Sequence, residues 1–172
     1  MANNVFLISD THFGHQAICG FVNEDGSKVR PFDQAEEMDQ VMIDNWNRVV
    51  QPHDKVYHIG DVAMRKQFLP IMHKLNGRKV LVRGNHDIFE LKEYVKYFYD
   101  VRGYHVLDNI LMSHIPIHAG SLGRFKGNVH GHLHGRPVMD ENNTPDPRYL
   151  SVCVERINYT PIEFCEVQKY FL

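Results

Sequence analysis

Short apolar runs alternate with stretches of helical spacing along the first half of the chain. Apolar runs predict strands at residues 5–8, 56–59 and 80–82, because a strand buried on both faces reads as a continuous apolar segment. Between the first two strands, apolar residues recur at spacings of three and four from Ala35 to Val49, which predicts a helix. This order is typical of α/β proteins with a parallel sheet.

The helix boundaries have sequence signals of their own. Asp33 followed by Glu36 matches a capping box, so the first helix is predicted to begin there. A second helical stretch ends near Leu75, and a third covers residues 90–98.

The second half of the chain has shorter apolar runs. They predict further strands at residues 106–107, 110–113, 127–129 and 150–154, the last at a sheet edge. Thr160, Pro161 and Glu163 suit the cap and first turn of a final helix. The 172 residues contain no repeat or linker, so we expect one domain over residues 1–172.

Charge and cysteine content narrow the class of protein. The formal net charge of -2 argues against long nucleic acids as partners. No apolar stretch approaches the ~18 residues of a membrane span, and we expect no membrane partner. Three widely spaced cysteines without a CxxC pair, and no leader-like N-terminus, favour reduced thiols in a cytoplasmic protein. The 12 histidines are the unusual feature.

Polar clusters follow the predicted strands directly. The segments "SDTH", "GD", "GNHD", "SH" and "HGHLH" each come at a strand's end. Ligands of open α/β sheets gather outside the carboxyl ends of the strands, so we expect these clusters to form one site. Its candidate residues are Asp10, His12, Asp61, Asn85, His86, Asp87, His114, His132 and His134.

The segment "GNVHGHLHGR" places histidines at every second position among three glycines. In an extended strand, His132 and His134 would project from the same face. Glycine lets bulky groups come close to the backbone. The alternative is a polar strand end whose histidines face water.

Seven of the candidates are oxygen or nitrogen ligands for divalent metals, and none is a thiolate. A structural zinc takes about four ligands, so seven is too many for one ion. Two ions sharing a bridging carboxylate use this number well, at the ~3.5–4 Å separation of paired hydrolytic metals. Such a pair suits an anionic phosphoryl centre.

The ordered motifs "SDTHFGH", "GDV", "GNHD", "SHIPIH" and "GHLHG" resemble those of the calcineurin-like metallophosphoesterases. "RPF" (residues 30–32) and "NWN" (residues 45–47) are similar to the small phage and bacterial branch of that superfamily. The resemblance implies an α/β fold, a four-layer α/β/β/α sandwich with metals at its strand ends.

The same resemblance assigns roles to the candidate residues. It implies one metal held by Asp10, His12 and His134, a second held by Asn85, His114 and His132, and Asp61 bridging the two. His86 would be the general acid for the leaving oxygen or a transition-state donor. Asp87 would accept from the other ring nitrogen of His86 and fix its tautomer. Met64 stands where many relatives have a further carboxylate.

Substrate contacts are predicted at Arg30, His15 and Arg83, since an arginine near the motifs can grip a phosphate bidentately. The alternative for the arginines is ordinary surface charge. For His15, as for His118 and His130, it is a solvated or structural role.

The function predicted from these features is a dinuclear phosphodiesterase acting on a small nucleotide-like phosphodiester. A water or hydroxide bridging the metals would attack, with His86 as the acid. The cofactors would be two divalent ions, Mn²⁺ foremost, with Fe, Zn or Ni as alternatives. A phosphomonoesterase acting on nucleotides or phosphoproteins, a nuclease on short nucleic acids and a non-catalytic metal-binding scaffold remain as alternatives. The sequence leaves the oligomeric state open.

Overall fold

Two β-sheets form the framework of the computed structural model, which describes residues 3–172. The first sheet has five strands, which are β1 (Val5–Ile8), β2 (Lys55–His58), β3 (Arg78–Val82), β4 (Asp100–Arg102) and β9 (Ile162–Glu163). Their order in the sheet is β4-β3-β2-β1-β9. The first four run parallel, and β9 pairs antiparallel with β1. The strands predicted from the apolar runs are therefore confirmed in this sheet.

The second sheet has four strands in the order β5-β6-β7-β8. They are β5 (His105–Leu107), β6 (Ile110–Ser113), β7 (Gly127–His130) and β8 (Tyr149–Ser151). β5 pairs antiparallel with β6, and the other pairs are parallel. β8 lies at the edge, as predicted, but is shorter than the expected segment.

The two sheets bury a shared apolar layer. Leu7 and Tyr57 of the first sheet cluster with Met112 and Val129 of the second. Alternate residues of a strand point to opposite faces, so Phe6 and Ile8 face away from this layer and pack with the outer cluster that contains Met38, Met42 and Trp46. The parallel strands of the first sheet are thus covered on both faces.

The described residues contain three α-helices and three 3₁₀ segments, and all but the last helix lie between strands. The α-helices are α1 (Ala35–Val49), α2 (Leu91–Tyr94) and α3 (Phe164–Tyr170). The 3₁₀ segments are Gln16–Gly20, Lys66–Lys74 and Ala119–Ser121. In residues 3–172, no helix is long and apolar enough to cross a membrane.

The α/β sandwich is confirmed, although its fourth layer contains little helix. α3 inserts Phe164 and Val167 into the layer between the sheets. Over the outer face of the second sheet lies the loop at Ile117, whose amide donates to the buried Asn128 side chain at 3.0 Å. Tyr149 Oη also donates to the carbonyl of Ile117.

The predicted capping box is wrong. Gln34 is the N-cap residue of α1, and it makes no side-chain cap hydrogen bond. The first amide of the helix, Ala35, instead donates to Oε1 of Gln16 at 2.8 Å. Asp33 pairs with Lys28 on the surface. A side chain distant in sequence therefore caps the helix, which a local motif does not reveal.

Three other boundaries differ from the prediction. Residues 66–74 form a 3₁₀ segment with Pro70 inside it, because proline lacks the amide that a regular α-helix needs. The helix predicted over residues 90–98 is only α2. The final helix begins at Phe164, because residues 162–163 pair with β1.

Trp46 tests the packing of α1 against the first sheet. Its ring is fully buried, and Nε1 donates to the carbonyl of Asn76 at 2.9 Å. We expect Trp46→Phe to lower the free energy of unfolding by about 1–3 kcal/mol, because the substitution removes the donor and some buried volume. Urea unfolding followed by circular dichroism measures this. Glu37→Gln on the exposed face of α1 should change it by less than ~0.5 kcal/mol, and equal effects would contradict the packing role.

Candidate metal centre

Five strand ends bring the predicted ligands together. Loops after β1, β2 and β3 carry the candidates of the first sheet, and loops after β6 and β7 carry those of the second. Neighbouring strands in each set are parallel, so their carboxyl ends meet at one side of the sandwich. The residues delivered there are Asp10, His12, Asp61, Asn85, His114, His132 and His134.

Most of these residues have left-handed backbone conformations. Positive φ occurs at Asp10 (57°), His12 (48°), Asp61 (58°), His132 (69°) and His134 (53°). Left-handed backbone is uncommon outside glycine and costs on the order of 1 kcal/mol per residue. β7 has ended at His130, so the expected strand face does not bring the two later histidines together. Instead, the left-handed backbone at His132 and His134 brings these two side chains together.

The first ligand group consists of Asp10, His12 and His134. Nε2 of His12 lies 3.7 Å from Oδ1 of Asp10, and Nε2 of His134 lies 4.0 Å from the same oxygen. One potential ligand atom from each of the three residues falls within a 4.8 Å cluster. This spacing fits donors arranged around one cation.

The second ligand group has an amide at its centre. Oδ1 of Asn85 lies 2.9 Å from Nε2 of His114 and 2.9 Å from Nδ1 of His132. Nδ1 of His114 lies 2.8 Å from the carbonyl of Ile59. That carbonyl would hold the Nδ1–H tautomer and leave Nε2 free for a metal.

Asp61 lies between the two groups. Its Oδ2 is 3.3 Å from Nε2 of His114 and 3.7 Å from Nε2 of His12. Asp10, Asp61 and His114 also form a cluster of potential ligand atoms. One carboxylate can therefore serve both groups, which is the position expected for a bridging ligand.

The charges and unsatisfied atoms of the site fit divalent cations. Burial favours a neutral Asp10, but the neighbouring imidazoles of His12 and His114 hold the pKa of Asp10 below its ordinary value. Burial disfavours a charged His114, yet its bond to Asp61 and the nearby carboxylates raise its pKa to about 9. Among residues 3–172, neither ring nitrogen of the buried His12 has a hydrogen-bond partner. A cation would give a partner to Nε2, the nitrogen that lies near Asp10 and Asp61.

Glu155 and Arg30 form a buried support beneath the first group. Nδ1 of His134 and Nε of Arg30 both contact Oε1 of Glu155, at 2.9 and 2.7 Å. This contact turns Nε2 of His134 toward Asp10 and raises the pKa of His134 against the opposing effect of burial. Sequence reasoning missed Glu155, although it follows the buried residues 152–154 much as the other site residues follow strands.

Arg30 does not have the geometry of the predicted substrate contact. Its side chain is fully buried, and its guanidinium donates to the carbonyls of Asp10 (2.5 Å) and Thr11 (3.0 Å) as well as to Glu155. Those carbonyls flank the left-handed turn after β1. Arg30 therefore holds the ligand loop, and its guanidinium is directed at two backbone carbonyls and Glu155 and not at an open surface as predicted.

Asp87 and Arg83 also hold backbone. The buried Asp87 carboxylate accepts from the amides of Asp61 (2.8 Å), Val62 (3.0 Å) and Gly84 (2.8 Å). Both of its oxygens are engaged, so the expected bond to the His86 ring is replaced by a link between two strand-end loops. Arg83, predicted to contact substrate, donates Nε to the carbonyl of Asp87 (2.6 Å) and Nη2 to the carbonyl of Phe89 (2.8 Å).

The remaining histidines divide into two kinds. His86 is exposed, donates its amide to Oδ1 of Asp61 at 2.9 Å and has its ring centroid 5.7 Å from that of His12. His15 lies 5.8 Å from His12 by the same measure, and burial with nearby positive groups lowers its pKa to about 4. Both border the first group.

His130 has a structural role, because it is buried and its Nδ1 lies 2.7 Å from the carbonyl of Gly131. His118 is exposed and accepts from Gly120.

Two glycines are required by the ligand carboxylates. A Cβ on Gly84 would collide with the Asp61 carboxylate, and one on Gly131 would collide with the Asp10 carboxylate. By contrast, nothing lies within 4 Å of a Cβ at Gly135. The close approach expected in the "GNVHGHLHGR" segment thus occurs at Gly131, and the group that approaches is a ligand carboxylate.

Comparison with known proteins gives the class to which this arrangement belongs. The family model of calcineurin-like phosphoesterases matches residues 4–158. The chain belongs to the calcineurin-like phosphoesterase family, whose chemistry is metal-dependent phosphoester hydrolysis. The resemblance noted in the sequence motifs is therefore confirmed.

Two relatives cover almost the whole chain. An uncharacterized protein of Methanocaldococcus jannaschii is 36% identical over 171 residues, covering 96% of this chain and 89% of its own. The crystal structure of a protein of unknown function from Aquifex aeolicus is similar with a TM-score of 0.76 at 26% identity. That match covers 98% of this chain and 99% of the other.

Metal stoichiometry tests the bridging position of Asp61. We expect the manganese-loaded protein to bind two ions per chain and Asp61→Ala to retain at most one, because both groups lose a shared oxygen. Elemental analysis after desalting gives the count. Asp44→Ala, on the exposed face of α1, should leave it at two. One tightly held ion that is unaffected by Asp61→Ala would refute the bridging role.

Gly84 offers a test in which no ligand residue is substituted. Gly84→Ala should displace the Asp61 carboxylate and weaken manganese binding roughly 10–100-fold, the range seen when a supporting contact of a ligand is lost. Gly103→Ala, where nothing lies within 4 Å of the added Cβ, is the matched control. Calorimetric titration with manganese should separate the two variants. Similar affinities would show that the close contact at Gly84 is not needed for binding.

Proposed function

We propose that this protein is a dinuclear metal-dependent phosphodiesterase that hydrolyses small nucleotide-like diesters. The observation that carries the proposal is the convergence of seven donor residues into two groups that share Asp61. The unpartnered nitrogens of His12 support it, because an imidazole buried without a partner is costly unless another group satisfies it.

When bound, two divalent ions would lower the pKa of a shared water and neutralise charge on the phosphoryl oxygens. Asp10, His12 and His134 would hold one ion, Asn85, His114 and His132 the other, with Asp61 between them. Arg30, Glu155 and Asp87 would keep these ligands in place through the contacts described above. Nitrogen and oxygen donors suit Mn²⁺, our first choice, as well as Fe, Zn or Ni.

His86 is the proposed general acid for the leaving oxygen. Its ring stands beside His12, and its side chain is exposed at the side where substrate would enter. A placed imidazole that delivers a proton typically contributes ~10²–10⁴-fold to the rate. The hydrogen bond from the His86 backbone amide to Asp61 fixes the backbone of His86 relative to the metal ligands.

Diesters are preferred over monoesters in this proposal because the expected phosphate-gripping arginines are engaged elsewhere. Arg30 is buried and Arg83 is bonded to two carbonyls. A monoester dianion would gain most from such a clamp, whereas a diester carries a single charge. A monoesterase is the second candidate, a nuclease on short nucleic acids the third, and a non-catalytic scaffold the fourth.

We also propose a cytoplasmic location, supported by the three free cysteines in the described part of the chain.

Turnover of bis(p-nitrophenyl) phosphate with and without manganese tests the proposal directly. We expect metal-dependent release of p-nitrophenolate, faster than from p-nitrophenyl phosphate. Faster turnover of the monoester would favour the second candidate. Absence of turnover of either ester with manganese, iron, zinc or nickel would favour the scaffold.

The role of His86 is tested with leaving groups of different basicity. His86→Ala should keep both metals and slow the release of a nucleoside by ~10²–10⁴-fold, because the departing alkoxide needs a proton. It should slow the release of p-nitrophenolate much less, because this anion departs unprotonated. His53→Ala, at a surface histidine that contacts Asp54, should match the wild type. Equal losses on both leaving groups would assign His86 to phosphoryl binding instead.

A further inference from the structure

We infer that the substrate is a phosphodiester with two uncharged organic arms, each lying in its own groove on either side of the metal ligands. This inference rests on the proposed function. It adds where the two ester groups bind and what chemistry they have.

Two grooves meet at the tripeptide His132–His134. The first, the His132 groove, has a volume of about 1080 Å³ and is bounded by His132. The second, the His134 groove, has a volume of about 700 Å³ and is bounded by His134. Leu133 lines both. Each groove is therefore bordered by a histidine of a different ligand group, and the two grooves share Leu133.

Each groove presents apolar side chains that the fold leaves exposed. In the His132 groove these are Ile115 (52% exposed) and Met139 (43%), and in the His134 groove they are Phe21 (50%) and Val22 (62%). Apolar surface in a concave site next to convergent polar groups is typical of ligand pockets. Each groove can thus bury one organic group.

The arrangement favours two arms over one. A phosphomonoester has a single organic substituent, so it would fill one groove and leave the other empty. In a diester, the phosphorus joins two organic substituents, so each can enter one of the two grooves that share Leu133. The diester would bury apolar surface in both, and the phosphoryl group would face the ligand histidines between them.

The charges in the grooves oppose additional phosphates. The His132 groove is lined by Asp140, Glu141 and Asp146 against one arginine, Arg148, whose Nη2 is already bonded to Asp146 at 2.6 Å. The His134 groove is lined by Glu24 and Asp25 against Arg136. Carboxylates outnumber cations in both, so a second anionic group in either arm would be repelled.

Two groove variants test the placement of the arms. Phe21→Ala alters the His134 groove and Met139→Ala the His132 groove. With bis(p-nitrophenyl) phosphate, each should lower kcat/KM about 10-fold, mainly through KM, the scale expected for lost apolar contacts in a pocket. With methyl p-nitrophenyl phosphate, only one of them should do so, because this diester has one large arm. Tyr104→Ala, at an exposed tyrosine outside both grooves, is the control, and thermal unfolding checks that all three variants are folded.

The outcomes separate this inference from the proposed function. Metal-dependent turnover of both diesters that neither Phe21→Ala nor Met139→Ala affects would overturn the two-groove inference and leave the phosphodiesterase standing. No turnover of any diester by the wild type would overturn both. Equal losses in both variants on the methyl diester would also overturn the assignment of one arm to each groove.

A substrate pair that differs by one phosphate tests whether the groove carboxylates exclude charged arms. Thymidylyl-(3′→5′)-thymidine joins two uncharged nucleosides through one phosphate. Its 5′-phosphorylated form differs by one added phosphate. We expect kcat/KM to be at least 5-fold lower for the phosphorylated form at low salt, with the difference shrinking at high salt as the carboxylates are screened. Equal or faster turnover of the phosphorylated form would overturn the requirement for uncharged arms.

Discussion

Left-handed turns at the strand ends are the constraint on which the site depends. Five of the seven proposed ligands lie in such turns, which cost energy for residues other than glycine. Buried hydrogen bonds hold them: Arg30 binds the carbonyls after β1, and Asp87 binds the amides after β2 and β3. These contacts connect the backbone that carries the donors to buried charged side chains.

This support ties metal binding to the packing of the two sheets. Glu155 connects Arg30, which holds the loop of the first sheet, to His134, which follows a strand of the second. The amide of His132 also donates to Asp10 across the sandwich, at 3.0 Å. A change in the spacing of the sheets would separate the members of the first ligand group. The apolar layer around Leu7, Tyr57 and Met112 therefore serves the site as well as stability.

Much of the fold could be predicted from local patterns, and the errors have physical causes. Buried parallel strands are continuous apolar runs, so β1, β2 and β3 are visible in the sequence. β4 was missed because its three residues are only partly buried and two are charged. The capping box was predicted because it is a local motif, whereas the actual partner of Ala35 is Gln16, 19 positions away. The ends of short helices such as α2 depend on contacts that the spacing of apolar residues does not reveal.

For the candidate site, the proposed donors and their common location could be predicted from the sequence, because polar clusters at the ends of neighbouring parallel strands lie on the same side of a sheet. Tertiary structure decided which atoms face each other and what the charged neighbours do. Arg30 and Asp87 look like substrate or proton-transfer residues in the sequence, yet burial turns both into supports of the backbone. Glu155 and the two grooves depend on contacts between segments far apart in the chain. Such contacts follow from the packing of the sheets, which a linear pattern does not encode.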